Sequence, residues 1–304
     1  MIRNLWDRWI RFWFEPAEPV NLGICRFVFF GLLFAYYSSY DFSEWARVST
    51  AFWIPKDFFK FFNLPMPSVR IIEWVQMLWK FSLLLSCLGL FTRLSTFLAL
   101  SVGTYILSYP HNFGATHHYD AMIVLVLGVM AFASSGDAYS LDALIRRSKN
   151  PTSGEYTWPI RAVWVIIAVI FFGAGYAKLA NSGLAWITSN YMQVILMQQP
   201  YHTSAHPPLL LWGVTFAQHP WIYHSFAASA VIIETGYPLV LFNRKARWFF
   251  IPGALLFVIG IRVLMGPSFE TFLFCHIFWI PWDRVIGRIT LIRQGNREKS
   301  FVHP

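Results

Sequence analysis

W-P-I-R-A-V-W-V-I-I-A-V-I-F-F-G-A-G-Y-A-K-L-A, residues Trp158 to Ala180, decides the fold. No charge interrupts it between Arg161 and Lys178. As a helix it rises about 34 Å at 1.5 Å per residue, enough to cross a hydrocarbon core of about 30 Å. Working outward, apolar stretches recur at residues 22–40, 70–91, 93–109, 119–135, 221–242, 247–265 and 268–282, of which 93–109 and 268–282 are short. The expected fold is all-α: a polytopic membrane helical bundle of about eight transmembrane helices. It forms one domain over residues 1–304, with an interfacial helix at 1–15 and a basic cytoplasmic tail at 283–304.

Composition excludes an ordinary soluble domain. Hydrophobic residues make up 56% of the chain and charged residues 13%, against about a quarter charged in soluble proteins. Aromatic residues reach 19% and flank several apolar stretches, where an interfacial belt lies. The net charge of +9 sits in short clusters between spans rather than in one patch, so no nucleic acid partner is expected. Cys25, Cys87 and Cys275 each fall inside an apolar stretch with no metal-binding or disulfide spacing, and read as buried thiols.

Positive charge fixes the orientation. Basic residues at both chain ends, Arg93, the Arg146–Lys149 cluster and the Arg244–Arg247 cluster fall in alternate loops, which the positive-inside rule places on the cytoplasmic side. The expected location is the cell membrane, multi-pass, with both termini cytoplasmic. No signal peptide is expected, because the first apolar stretch is long and no small-residue cleavage pattern follows it. Met1 to Glu15 sets Ile2, Leu5, Trp6, Trp9 and Trp13 opposite Arg3, Arg8 and Arg11, the pattern of a helix lying in the interface. Residues 41–69 and 181–220 face outward and read as short surface helices or re-entrant pieces.

Ionisable residues inside the spans are the candidate functional groups. Each costs about 2.5–3.5 kcal/mol at the bilayer centre on insertion scales, so such residues face the bundle interior and often mark function. They are Arg26, Glu73, Lys80, Asp120, Lys178, Glu234, Arg262, Glu270 and His276. Structural ion pairing is the expectation for Arg26, Glu73 and Lys80. Glu234 sits nearer mid-membrane and requires Arg262 or another cation across the bundle, or a proton. Span direction places Lys178, His117, His118, Asp120, Arg262 and Glu270 together at the outer ends of four spans. A lysine in a dry pocket is available as a base, although its stem also lets it snorkel to the interface. For His117–His118 an interfacial loop and a site remain open, and no metal site is expected because no third ligand has helical spacing.

Two segments carry a family resemblance. F-F-G-A-G-Y-A-K-L, Phe171 to Leu179, resembles the membrane segment of vitamin K-dependent gamma-glutamyl carboxylases, where an aromatic-rich helix ends in Ala-Gly-x-x-Lys-Leu. H-H-Y-D-A-M-I-V-L-V-L-G-V-M-A-F followed by Y-S-L-D-A-L resembles that family's Asn-His-x-Tyr helix and its Ser-x-Asp-(Ala or Gly)-Leu loop. The openings F-E-P…L-G-I-C-R-F and W-I-P-K…L-P-M-P-S are similar to the wider horizontally transferred transmembrane, or HTTM, group. The resemblance implies that Lys178 is the base that deprotonates a vitamin K hydroquinone-like quinol cofactor and that His118 is linked to quinol epoxidation. His117, Asp120, Arg262, Glu270 and Glu234 would line the pocket.

The function expected from this is a quinol-dependent, carboxylase-like lyase that modifies an exported peptide or a lipid-soluble substrate at the outer face. Its partners would be the lipid bilayer and an exported peptide or a separate extracytoplasmic protein. Two alternatives stay open: a non-catalytic membrane factor for peptide maturation, export or immunity, and a proton-coupled transporter using Glu234 and Asp120 as relay carboxylates.

Overall fold

The structure, a computed structural model, describes residues 2–114, 118–147, 150–202, 209–267 and 269–287. Among these residues it is helical with no extended strand, and they divide into two compact units. One contains residues Met1–Val163 and Ile277–Pro304, the other residues Trp164–His276.

The first unit begins with an amphipathic helix, α1 (Ile2–Phe14), and continues through α2 (Pro19–Ser38), α3 (Val69–Leu88), α4 (Thr92–Ser108), α5 (His118–Phe132) and the short α6 (Leu141–Arg146). Helix α3 packs against both α2 and α4, and α4 packs against α5. Trp6, Trp9, Ile10 and Phe14 of α1 are exposed, the face an interfacial helix gives to lipid. Its end is pinned where Ala17 and Ser153 exchange backbone hydrogen bonds of 3.1 and 3.0 Å. Residues 41–69 form 3₁₀ turns and a single helical turn instead of a flexible loop. Here the Asn112 carbonyl accepts from Ile54 N–H at 2.8 Å and its side-chain oxygen from Lys56 N–H at 2.8 Å.

Arg26 organises this unit. The side chain is completely buried, and its guanidinium donates to the carbonyls of Ser86 (2.6 Å), Cys87 (3.0 Å), Ser135 (3.2 Å) and Tyr139. The expected ion pair is therefore replaced by backbone acceptors, which satisfy the fork without a second buried charge. Gly89, at φ +68°, makes room: a Cβ there would meet the Arg26 guanidinium and the Ser140 Cβ. Lys80 likewise finds carbonyls, those of Ser38 (3.1 Å) and Tyr40 (2.8 Å), and so closes the C-terminal end of α2.

Asp142, from the Y-S-L-D-A-L segment, caps α4 across the chain. Its carboxylate accepts from the backbone N–H of Phe91 (2.9 Å) and Thr92 (2.7 Å) and from the Thr92 hydroxyl (2.7 Å). Partial burial opposes its charge, but these bonds win and hold the carboxyl below the ordinary aspartate range.

Helix α7 (Trp158–Ser182) continues into the second unit, followed by α8 (Tyr191–His202), α9 (Leu210–Ala217), α10 (Pro220–Gly236), α11 (Arg244–Leu264) and α12 (Glu270–Cys275). Helices α8 and α9 pack on each other and on α10. Met192, Leu196, Ala217, Tyr223 and Ala227 form a buried cluster there. The described residues of 181–220 are thus largely helical and contribute to the core.

Among the described residues, four segments are long and apolar enough to cross a bilayer: Pro19–Ser38, Val69–Leu88, Gly154–Ser182 and Arg244–Leu264. Each of the other expected spans contains a shorter helix. The stretch 221–242 breaks at Tyr237-Pro238 into α10 and the single turn Leu239–Phe242. Among its described residues, the stretch 268–282 holds α12 and a 3₁₀ turn, His276–Trp279, before Pro281.

Candidate functional site

Lys178 lies one turn before the end of α7, and Glu234 lies near the end of α10. The lysine Nζ donates to both carboxylate oxygens of Glu234, at 2.8 and 2.6 Å. Two features of the sequence allow this. Gly175, three residues before Lys178 and so on the same helix face, removes the side chain that would hold the helices apart: a Cβ there would come within 2.7 Å of Thr235 Cγ2 and 2.9 Å of Glu234 Cβ. Tyr223, Ala227, Ala230 and Glu234 share the buried stripe of α10, so the carboxylate points inward.

The pair is asymmetric. The Glu234 side chain is 4% exposed and that of Lys178 is 21%. Lys178 thus presents one open side while Glu234 is closed off behind it. On the open side the ammonium sits over the Trp186 ring, 5.4 Å from its centroid, in cation–π contact. Lys178 is thus the cation across the bundle that the Glu234 carboxylate required.

One turn past Glu234, the Tyr237 hydroxyl is 3.1 Å from His276 Nε2, and His276 Nδ1 is 2.7 Å from the Phe272 carbonyl. A carbonyl can only accept, so Nδ1 carries the hydrogen and Nε2 accepts from Tyr237. Phe171, two turns before Lys178, stacks on Tyr237 at 4.7 Å. Helix α7 thus meets α10 at Lys178–Glu234 and the residue that follows α10 at Phe171–Tyr237.

Arg262 pairs with Glu270, beside which span direction placed it, and Lys178 supplies the cation for Glu234. The Arg262 Nε is 3.1 Å from Glu270, and Nη1 donates to the Gly266 carbonyl at 2.6 Å. This fastens the turn between α11 and α12. Asp120, in the first unit, lies 3.3 Å from His111 Nε2. His118 opens α5, but its side chain lies outside the described residues, as does His117 altogether. Of the expected pocket residues, the structure brings together Lys178 with Glu234 and Arg262 with Glu270. Among the described residues no group of His, Cys, Asp or Glu is arranged to hold a metal ion.

An apolar cavity of about 350 Å³ opens along the same unit, lined by Phe226, Ile233, Gly253, Leu256, Gly260 and Leu264 among others. Ile233 precedes Glu234, so one turn of α10 supplies both the cavity wall and the carboxylate.

Sequence reading missed three elements: the His111–Asp120 contact, the Tyr237–His276 bond and the part played by Gly175. The last had a signal in the spacing of a small residue one turn from a lysine, whereas the pairings span up to 39 residues and leave no local pattern.

The family model described as the HTTM domain matches residues 14–280. No curated protein matches the chain, and no solved structure does.

Proposed function

The chain belongs to the HTTM family, and we propose that it is a membrane enzyme whose Lys178–Glu234 pair takes a proton from a lipid-soluble weak acid of the quinol type. The observation that carries this reading is the asymmetry of the pair: an amine open on one side, backed by a closed carboxylate that touches it through both oxygens. Substrate reaches only the amine. As the substrate hydroxyl gives its proton to Lys178, one ammonium proton passes to Glu234. The products are a substrate oxyanion facing the Lys178 ammonium and a protonated Glu234, with total charge unchanged. Such a relay matches donor to acceptor without moving a charge out of the site.

The apolar cavity beside Ile233 suits a substrate with a hydrocarbon tail. The likeness of Phe171 to Leu179 to the carboxylase segment supports a quinol as that substrate. Eight crossings of the cell membrane, with residues before Pro19 and after Pro281 on the cytoplasmic side, would place the reaction toward the outer face, where an exported peptide is the downstream target.

A test is mass spectrometry of lipids that copurify with the protein in native-membrane discs. Wild type should retain a quinol-type lipid, and Lys178→Ala should lose it at equal protein level. Equal retention by both would remove the base from the reading.

A second reading, a non-catalytic factor for peptide maturation, export or immunity, is favoured by the complete satisfaction of Glu234 by Lys178, which a purely structural pair also shows. The double variant Lys178→Met/Glu234→Leu separates the two. Full function in cells would assign the pair to structure, whereas a stable but inactive protein would assign it to chemistry.

A further inference from the structure

A cavity of about 520 Å³ opens in the first unit where three stretches of chain meet: the start of α4, the connection after α5, and α6. Its lining includes Phe91, Arg93, Leu94, Ser134, Ile145 and Arg146. Helix α3, long and apolar enough to cross a bilayer, ends at Leu88, just before the first lining residue, Leu90. A cavity that begins at the end of a spanning helix lies at the depth of the lipid head groups.

The lining combines two chemistries. Phe91, Leu94 and Ile145 are 67%, 60% and 72% exposed, so the cavity mouth presents hydrocarbon. Arg93 and Arg146 put cations beside it. Arg146 is committed, because its guanidinium lies 3.4 Å from Asp137 and donates to the Gly136 carbonyl at 3.2 Å. The carboxylates on the lining are committed as well. Asp137 also accepts from the Tyr156 hydroxyl at 3.0 Å, and Asp142 spends both oxygens on the start of α4, so that helix end is already capped. Arg93 is the ionisable group of this lining that has no hydrogen bond or ion pair among the described residues.

Phe91 adds a separate observation. It sits in the left-handed region, at φ +47°, where a bulky residue is an outlier and asparagine or glycine fits at lower cost. Its N–H donates to Asp142 at 2.9 Å and Leu90 N–H donates to the Leu85 carbonyl at 3.1 Å, so the surroundings hold the backbone there. Such strain gathers where a side chain has a task. The ring stands exposed at the cavity mouth, two residues from Arg93, instead of packing in the core.

We propose that this cavity binds one glycerophospholipid, with the phosphate on the Arg93 guanidinium and the acyl chains along Phe91, Leu94 and Ile145. The charges fit, because the one pairing left open is to a cation, and a phosphate diester brings one negative charge with oxygens that match the guanidinium fork. A free phosphate would leave the apolar mouth in water. An uncharged lipid would leave Arg93 without an acceptor. The site belongs to the first unit and does not depend on the role of Lys178.

The test uses the full chain in detergent and follows its thermal midpoint as ligand is added. The probes are phosphatidylglycerol, a glucosyl diacylglycerol with the same acyl chains, and inorganic phosphate. Wild type should be stabilised by phosphatidylglycerol at concentrations where the other two do nothing. Arg93→Gln, which removes no bond among the described residues, should fold as wild type does and need roughly tenfold more phosphatidylglycerol, the scale of one lost charge-assisted hydrogen bond. Lys245→Gln, at an exposed cation of the second unit, should leave that concentration unchanged. Phe91→Asn should hold or raise the midpoint without lipid, since asparagine tolerates the left-handed backbone, yet should weaken phosphatidylglycerol binding.

Equal weakening by Arg93→Gln and Lys245→Gln would mean an attraction shared among all surface cations, and would overturn the inference. Three other results would also overturn it: equal stabilisation by the glycolipid, which would show that phosphate is not read; stabilisation by inorganic phosphate alone, which would make the cavity a small-anion site; or a lower lipid-free midpoint in Phe91→Asn with unchanged lipid affinity, which would make the ring a packing group.

Discussion

Arg26 in the first unit and Lys178 in the second are both cations on apolar helices, yet their surroundings differ in kind. Arg26 is wholly buried and bound by carbonyls alone. Lys178 is bound by a carboxylate and stays partly open. Carbonyl oxygens accept hydrogen bonds but do not take up protons near neutral pH, so the Arg26 cluster can only hold the chain in place. A carboxylate can take up a proton, so the Lys178 pair has two states. Burial of a charge therefore does not separate structure from chemistry; a carboxylate partner permits proton transfer, and carbonyl partners do not.

The largest effect is expected at Arg26. Arg26→Met leaves several buried carbonyls without donors, each worth about 1–3 kcal/mol, and should lower the thermal midpoint in detergent more than any other single change considered. Arg26→Lys should rescue little, since an ammonium cannot reproduce the planar fork. A lysine variant as stable as wild type would break the contrast between the two cations.

Next comes the Lys178 pair. Lys178→Met alone strands the Glu234 carboxylate and should cost about 3–5 kcal/mol. Adding Glu234→Leu should restore most of that stability, measured by the same thermal assay. If the double variant is no more stable than the single one, the carboxylate is satisfied by something other than Lys178.

A smaller loss, about 1–3 kcal/mol, is expected for Gly175→Val, which forces α7 from α10 at the level of Glu234. On the proposed function, its sharper signature is loss of the quinol-type lipid that wild type is expected to retain. Gly173→Ala, two residues away where a Cβ meets nothing within 4 Å, is the control and should leave both readouts unchanged.

Asp142→Asn should have the smallest effect, about 1 kcal/mol, the usual worth of a helix cap. Its pH dependence is more informative. The folded carboxyl lies below its unfolded value, so the stability it confers is full above about pH 4 and is lost as pH falls through the folded value. The variant should flatten that acid limb. An unchanged limb would show that other carboxylates, such as Asp41, dominate it.

Sequence made the helical, membrane-adapted architecture legible because hydrocarbon imposes one requirement on every span, apolar length, and Trp158 to Ala180 meets it plainly. It was less informative where proline and glycine interrupt hydropathy: Pro238 splits one stretch, and Gly266-Pro267 precedes the short α12. Short helices were expected over 181–220, but the buried cluster that α8 and α9 build with α10 was not, because Pro200, Pro207 and Pro208 give their segment the look of a surface connection. At the site, Lys178 and Glu234 stood out singly as charges in apolar runs, but their contact did not. Pairing across 56 residues depends on which helices pack side by side and in what register, which composition does not encode. Arg26 and Lys80 escaped for another reason: carbonyl acceptors exist at every residue and leave no mark in side-chain chemistry.

The carbonyl cage around Arg26 also sets a schedule for biogenesis. Its first acceptor, Ser86, is 60 residues downstream and Ser135 is 109 downstream. A nascent α2 leaving the ribosome therefore carries a guanidinium whose ligands have yet to be translated. That helix must wait, in the insertion machinery or at the lipid headgroups, until the segment through Tyr139 has emerged. The first unit can lock only as a late, joint event of its helices, so a truncation before residue 135 should leave α2 a substrate for membrane quality control.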